Sequence, residues 1–293
     1  MKKKLVFKGV ATALITPFKN GEIDYKSLSG LIEMQINEGI DALVIGGTTA
    51  EAATLSDEER YRLFEFARER IGGRTRLIFG TGTNDTRVAL NHTKYAEKTG
   101  CDGVLLVTPY YNKGTELGIE KHYLSIAESV DLPIILYNVP SRTGVNLGIS
   151  LLSRLSEHPN IVGIKEASDS VDRLMALSEL SQRLYLYSGN DSQIYPTLAL
   201  GGMGVISVMS NIIPTATARL CRDYFEGRQE AALREQIRLL PFIRSIFAET
   251  NPSPIKYAMS EMGLCSPEVR LPLSEPREST RAEIMATLKM IKK

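Results

Sequence analysis

A single lysine, Lys165, stands near the end of the apolar run Ile161-Val162-Gly163-Ile164-Lys165-Glu166-Ala167-Ser168. A primary amine that loses its charge attacks a carbonyl carbon and forms a Schiff base. Burial favours the neutral amine, since desolvation lowers a lysine pKa by up to about 3–5 units. The competing reading is a lysine whose stem lies on apolar surface while its ammonium snorkels to water. Spacing alone leaves the two readings level. Strand alternation puts Ile161, Gly163, Lys165 and Ala167 on one face, and Val162, Ile164 and Glu166 on the other. Glu166 then cannot be assumed to neutralise its neighbour, and Gly163 leaves room beside the amine if that face is a barrel interior.

Imine formation, imine hydrolysis and carbon–carbon bond making all move protons at neutral pH, so the amine needs proton-transfer partners. Hydroxyls stand at the ends of other apolar runs: Thr48 and Thr49, Thr108 with Tyr110 and Tyr111, Tyr137 with Asn138, Ser188, and Ser207. A set of hydroxyls converging on one lysine is a specific pattern, although buried aromatics are usually core packing with one hydrogen-bonded hydroxyl. His92, His122 and His158 fall in helical or loop segments, so a tyrosine/threonine relay is the more economical arrangement. Arg142, just past the fifth run, has the fork to clamp a carboxylate, against the commoner role of a surface salt bridge. The Gly46-Gly47 turn offers backbone N–H groups to an anion, by itself a weak motif. The glycines of LGGMGV precede the eighth run and read as a tight turn, because barrel phosphate sites use loops that follow strands seven and eight.

The elements that must position these groups are eight short β-branched runs, starting near Val10, Ala42, Arg76, Gly103, Pro133, Ile161, Leu184 and Gly204. Nearly all are apolar on both parities, as parallel strands covered on both faces should be. Amphipathic segments of helical length separate them. Ser56 with Glu59 reads as a capping box, and Gly39 and Gly100 sit where helices end. The fold class is α/β: a (β/α)₈ TIM barrel over residues 1–224, then a C-terminal helical domain over 225–293.

Bulk composition narrows the function. The chain has 293 residues, 43% hydrophobic and 24% charged, with a formal net charge of +1. That balance gives no support for nucleic-acid or membrane-surface binding. Cys101, Cys221 and Cys265 are scattered, which points to reduced thiols in a cytoplasmic protein. No His/Cys cluster has zinc-ligand spacing. The start MKKKLVFKGVATALITPF resembles a secretory leader, but Lys8 interrupts it and no small-residue cleavage site follows. No run approaches the roughly 20 apolar residues of a membrane span.

Taken together, GVATALITPF, GGTTAEAATLSDEE, VTPYYNK, LYNVPSRTG, IVGIKEAS, YSGND, GGMGVISV and ETNPSPIKYAMSEMG cover nearly the whole chain in order. With them the sequence resembles the dihydrodipicolinate synthase (4-hydroxy-tetrahydrodipicolinate synthase) family, within the pyruvate-dependent N-acetylneuraminate lyase superfamily. The resemblance implies a lyase that condenses pyruvate with L-aspartate 4-semialdehyde, the first committed step of diaminopimelate and lysine biosynthesis. It implies a Schiff base on Lys165, a proton relay of Thr48, Tyr137 and Tyr111, and no metal or cofactor. Thr49 and nearby amides would hold the pyruvate carboxylate, Arg142 the carboxylate of the second substrate, and the backbone at Gly189 and Ile206 would complete the site. Tyr111 would reach into a neighbouring subunit's site, making a homo-oligomer, a tetramer built as a dimer of dimers.

Two departures stand out. The family's GTTGES appears as Gly47-Thr48-Thr49-Ala50-Glu51-Ala52. Lysine-inhibited relatives carry histidines in this stretch and a glutamate in the next βα region, where this chain has Asp57, Arg60 and Val88. Asn84 and Tyr110 remain, and weak or absent feedback by L-lysine is expected. Three alternatives are weighed against the synthase. One is a pyruvate aldolase of the N-acetylneuraminate or 2-keto-3-deoxygluconate type, opposed by Arg142. The second is a pyridoxal-phosphate barrel enzyme, opposed by the lack of a convincing phosphate loop. The third is a catalytically inactive binding barrel.

Overall fold

The computed structural model describes residues 3–291. Eight parallel strands close into a barrel: β1 (Gly9–Ala13), β2 (Ala42–Ile45), β3 (Arg76–Gly80), β4 (Gly103–Val107), β5 (Ile134–Asn138), β6 (Ile161–Glu166), β7 (Tyr185–Ser188) and β8 (Gly204–Ser207). Each pairs with its sequence neighbours, and β1 pairs with β8 to close the circle. Their residues are almost all buried, as burial on both faces requires. Between Pro17 and Asp24 the chain adds a small hairpin, Phe18–Lys19 against Glu22–Ile23.

Helices cover the outside: α1 (Tyr25–Asn37), α2 (Asp57–Ile71), α3 (Thr86–Thr99), α4 (Glu116–Ala127), α5 (Pro140–Thr143), α6 (Ile149–Leu155), α7 (Val171–Ser178), α8 (Ile194–Ala199) and α9 (Pro214–Phe225). Then follow α10 (Gln229–Ile246), α11 (Ser253–Ser260) and α12 (Glu278–Ile291). Local chemistry fixes the ends. The Ser56–Glu59 capping box opens α2, acidic residues fill its first turn and Gly72 closes it in the left-handed conformation. A cap of this kind contributes about 1 kcal/mol. The long helical stretch after β8 is broken at Gly227, whose φ of +83° favours glycine. The expected division at residues 224/225 falls on the last turn of α9.

Two apolar clusters result. The outer one lies between strands and helices and runs on into α10, α11 and α12 through Phe242, Ile255 and Ile284. The inner one fills the barrel with Ala11, Ala42, Ile78, Leu105, Ile135, Val162, Tyr187 and Ile206. Val6 and Phe7 belong to the inner cluster, and Phe7 stacks on Tyr187 with ring centroids 4.4 Å apart. The leader-like apolar residues at the N-terminus therefore form part of the barrel floor.

The alternation expected for the lysine-bearing strand holds only in part. Ile134 pairs with Ile161 while Ile135 pairs with Gly163, so β6 carries a bulge at Val162. Ile161 joins the outer cluster and Val162 the inner one, the reverse of the expected faces. Beyond the bulge the expected parity returns. The space beside Gly163 is also not free for the amine: a Cβ there would meet the Tyr185 carbonyl at 2.8 Å and the Tyr187 ring at 3.2 Å.

Candidate active site

Lys165 ends an inward-facing row at the C-terminal rim of β6, the end where barrel enzymes carry their chemistry. In register it lies between Tyr137 on β5 and Tyr187 on β7. The side chain is 5% exposed, and its Nζ rests 4.1 Å from the centroid of the Tyr137 ring. The Tyr187 hydroxyl points down the barrel and donates to the Phe7 carbonyl at 2.8 Å, so Tyr187 is floor and not relay. Glu166 turns outward: Asn138, the Ser168 N–H and Arg173 all donate to its carboxylate.

Above this chamber opens a cavity of about 300 Å³. Thr48, Tyr137, Arg142, Tyr110, Arg60 and Asn251 are among the residues that line it. Lys165 is not part of that wall; the Tyr137 ring against which its amine rests is. Thr48 and Thr49 sit on a three-residue 3₁₀ turn, Thr48–Ala50, directly after β2. Glycines let this turn approach: Gly46 has φ +70°, and a Cβ on Gly80 would lie 2.3 Å from the Gly46 carbonyl. Arg142 follows β5 on α5 and donates to the Asn251 carbonyl at 2.9 Å. Asn251 also donates from Nδ2 to the Thr49 hydroxyl at 3.0 Å, joining two expected substrate contacts.

The expected residues are thus brought together unevenly. Thr48, Tyr137 and Arg142 share the cavity. Thr49 is buried behind Thr48, and Ile206 is buried on the inner face of β8. Gly189 follows β7, where a Cβ would lie 2.6 Å from that of Ala167. Tyr111 is 89% exposed, with φ +69°, and does not line the cavity of its own chain. Several strand-end hydroxyls do not converge on the lysine. Thr108 donates to the Tyr137 carbonyl, Ser188 to the Asn190 carbonyl, and Ser207 accepts from the Ser210 N–H. They hold loops in place because their strand positions face the helices.

Three residues around the site carry no motif that sequence spacing identifies. Asn251 and Lys256 lie in ETNPSPIKYAMSEMG, and Asp191 in YSGND; nothing in their spacing marks them, because each reaches the barrel from a different element. Asp191 is buried, takes the N–H groups of Val208 and Met209 at 3.0 and 2.8 Å, and has its carboxyl pushed up by burial. The histidines lie on the outer helices or the loop after α6, and burial pushes His122 down to about 4. Among the described residues no group of three or more His, Cys, Asp or Glu side chains is placed to hold a metal ion, and no helix is long and apolar enough to cross a membrane. All three cysteines are free.

Comparison with known proteins finds relatives over nearly the whole chain. The 4-hydroxy-tetrahydrodipicolinate synthase of Brachyspira hyodysenteriae is 46% identical over 280 residues, covering 95% of this chain and 96% of that protein. The structure of the 4-hydroxy-tetrahydrodipicolinate synthase from Methylacidiphilum fumariolicum SolV superposes with a TM-score of 0.95 at 43% identity, covering 97% of this chain and 96% of that one. That of DHDPS from Cyanidioschyzon merolae, with lysine bound, gives a TM-score of 0.95 at 37% identity and covers 99% of both chains. The model of the dihydrodipicolinate synthetase family matches residues 6–291, and the chain, an enzyme of the lyase class, belongs to that family.

Proposed function

We propose that this chain is a 4-hydroxy-tetrahydrodipicolinate synthase that condenses pyruvate with L-aspartate 4-semialdehyde through a Schiff base on Lys165. The observation that carries the proposal is a buried amine held against the Tyr137 ring at the rim of an apolar barrel, beside a cavity lined by Thr48 and Arg142. A primary amine at the rim beside this cavity is a nucleophile for a carbonyl carbon that enters it.

The reaction runs in balanced steps. Lys165 Nζ attacks C2 of pyruvate, and the carbinolamine loses water to give an imine. Loss of a C3 proton gives the enamine, with the iminium nitrogen as electron sink. C3 then attacks the aldehyde carbon, and the alkoxide takes up a proton. The amine of the adduct adds to the imine carbon, closing the ring and releasing Lys165. Each step needs a proton carrier near neutral pH, and we assign that role to Tyr137 and Thr48, which line the cavity. Thr49 and the amides of its turn hold the pyruvate carboxylate. Arg142, at the mouth, takes the carboxylate of the aldehyde. Gly189 and Ile206 supply backbone at the two neighbouring strand ends. Tyr111 completes the relay from a second copy of the chain; its exposure and its absence from its own cavity support that assignment.

Trapping with borohydride in the presence of pyruvate, followed by peptide mass mapping, tests nucleophile, substrate and reaction class together. An adduct on Lys165 that disappears in Lys165→Ala is expected; no adduct on the wild-type protein overturns the proposal. Arg142 tests the second substrate. Arg142→Ala should lower kcat/KM for L-aspartate 4-semialdehyde by about tenfold or more while the pyruvate adduct still forms. A wild-type preference for a sugar-acid aldehyde would transfer the chain to the aldolase reading.

A further inference from the structure

The three-residue turn that carries Thr48 and Thr49 is held from the far end of the chain. Glu51, directly after it, adopts φ +57°, a conformation that residues other than glycine rarely take. Its N–H donates to the Thr48 carbonyl at 3.0 Å, and its own carbonyl accepts from the Thr54 N–H and hydroxyl, both at 3.0 Å. Its carboxylate is fully buried and meets the fully buried Lys256 of α11, with Oε1 2.5 Å from Nζ. Oε2 accepts the Arg270 N–H at 2.8 Å. Lys256 also donates to the Glu268 carbonyl at 2.7 Å and lies 4.2 Å from the centroid of the Phe18 ring.

Around this pair the contacts spread to both ends of the turn. Asn251, five residues before Lys256, donates to the Thr49 hydroxyl at 3.0 Å. Arg270 reaches the Glu59 carboxylate, the Thr54 carbonyl at 2.9 Å and the Gly21 carbonyl at 2.8 Å. Residues 251–270 therefore grip the turn at Thr49 and at Glu51, on either side of Ala50.

A buried ion pair is a poor choice if stability is the aim. Desolvation of both charges offsets their attraction, and apolar replacements of similar volume are often neutral or better. What a pair hydrogen-bonded in this way supplies is direction. Glu51 in any other rotamer or backbone state would leave the buried Lys256 Nζ and the half-buried Arg270 N–H short of a partner.

We propose that Glu51 and Lys256 are a positioning pair that fixes the Thr48–Ala50 turn and thereby the binding of the keto-acid carboxylate, so that residues 251–270 take part in substrate binding without touching substrate. The inference rests on the functional reading above and extends it to two residues with no contact to the reacting atoms.

The test compares wild type with Glu51→Gln, Lys256→Met and the double variant in three measurements. These are borohydride-trapped pyruvate adduct at saturating pyruvate, KM for each substrate, and the urea unfolding midpoint. Glu51→Gln should still form the adduct at saturation, with pyruvate KM raised about tenfold or more and aldehyde KM within about twofold. The double variant has no unpaired buried charge and should regain much of the lost stability while keeping the raised pyruvate KM. If Glu51→Gln fails to fold, the double variant alone decides. Pyruvate KM at the wild-type value in either variant, or a KM that recovers in step with stability, overturns the proposal. A wild-type protein without any adduct overturns the reading of Lys165 itself, a separate outcome from a wild-type adduct with an unaffected KM in the variants.

Discussion

Lys165 and Glu166 are adjacent in sequence and lie on opposite sides of the barrel wall. The amine rests 4.1 Å from the centroid of the Tyr137 ring, while the carboxylate sits 2.8 Å from Arg173 Nε. Period-two alternation produces this split, and the outward pair relieves the inward amine of a competing partner. Because Glu166 is fully buried and the Arg173 side chain nearly so, removing one partner strands a buried charge. Arg173→Met should lower unfolding stability by about 3–5 kcal/mol in urea titrations, yet leave the pyruvate adduct on folded protein intact. An unchanged midpoint would show that Asn138 and the Ser168 N–H satisfy Glu166 without Arg173.

Tyr111 lends itself to a complementation experiment. If its hydroxyl serves the site of a second copy, Lys165→Ala and Tyr111→Phe chains each lack a different half of the machinery. Mixed dimers then contain one complete site, with Lys165 from one chain and Tyr111 from the other. Partial unfolding and refolding of the two variants together should restore activity to about a quarter of the wild-type level, the statistical share expected if a full relay is needed. Activity no higher than the sum of the separate variants would place Tyr111 outside the relay.

His122 supplies a stability test with a worked sign. Burial pushes its imidazole from 6.5 down to about 4, so the folded protein holds it neutral. Above pH 6.5 neither state binds the proton and stability is complete. As pH falls from 6.5 toward 4 the unfolded chain takes up a proton that the folded chain refuses, and stability is lost. Between pH 7 and pH 5 the loss from this group should be about 2 kcal/mol. Urea unfolding of wild type and His122→Gln at the two pH values isolates it; parallel losses in both proteins would exclude His122 as the source.

Much of the fold was legible because a β/α barrel repeats one pattern eight times, a β-branched run followed by an amphipathic segment of helical length. That Lys165 and Glu166 point to opposite faces was legible from the same alternation, though not which of the two faces is the interior. What periodicity could not show was the bulge at Val162, since a one-residue insertion flips parity locally and leaves no compositional mark. Nor could it separate hydroxyls that face the cavity from those spent on loops: Thr48 and Thr108 look alike as strand-end threonines, and only the strand's facing distinguishes them. Asn251 and Lys256 were invisible as site residues because 202 positions separate Asn251 from Thr49 and 205 separate Lys256 from Glu51. Spacing arguments do not reach across such distances.

L-lysine entering this cavity would meet the charges that line it. Arg60 is buried there, donating to the Ala52 carbonyl at 2.7 Å and more weakly to the Gly80 carbonyl at 3.3 Å, and burial lowers its pKa from the ordinary guanidinium value. Ala52, Ala53, Thr83 and Tyr110 lie along the same wall. The acidic side chain lining the cavity is Glu51, and it is committed to Lys256. Asp57 is engaged with His92 at 2.9 Å, and Val88 stands where the resemblance places a glutamate in inhibited relatives. An incoming ammonium would therefore meet a buried cation and, among the described residues lining the cavity, no carboxylate without a partner, a like-charge contact strengthened by the low local dielectric. Submillimolar L-lysine should leave steady-state activity unchanged, whereas half-inhibition in that range would contradict this account. Arg60→His removes the fixed cation at neutral pH and should make any residual lysine effect stronger; an effect that weakens instead would mean that Arg60 holds the lysine carboxylate.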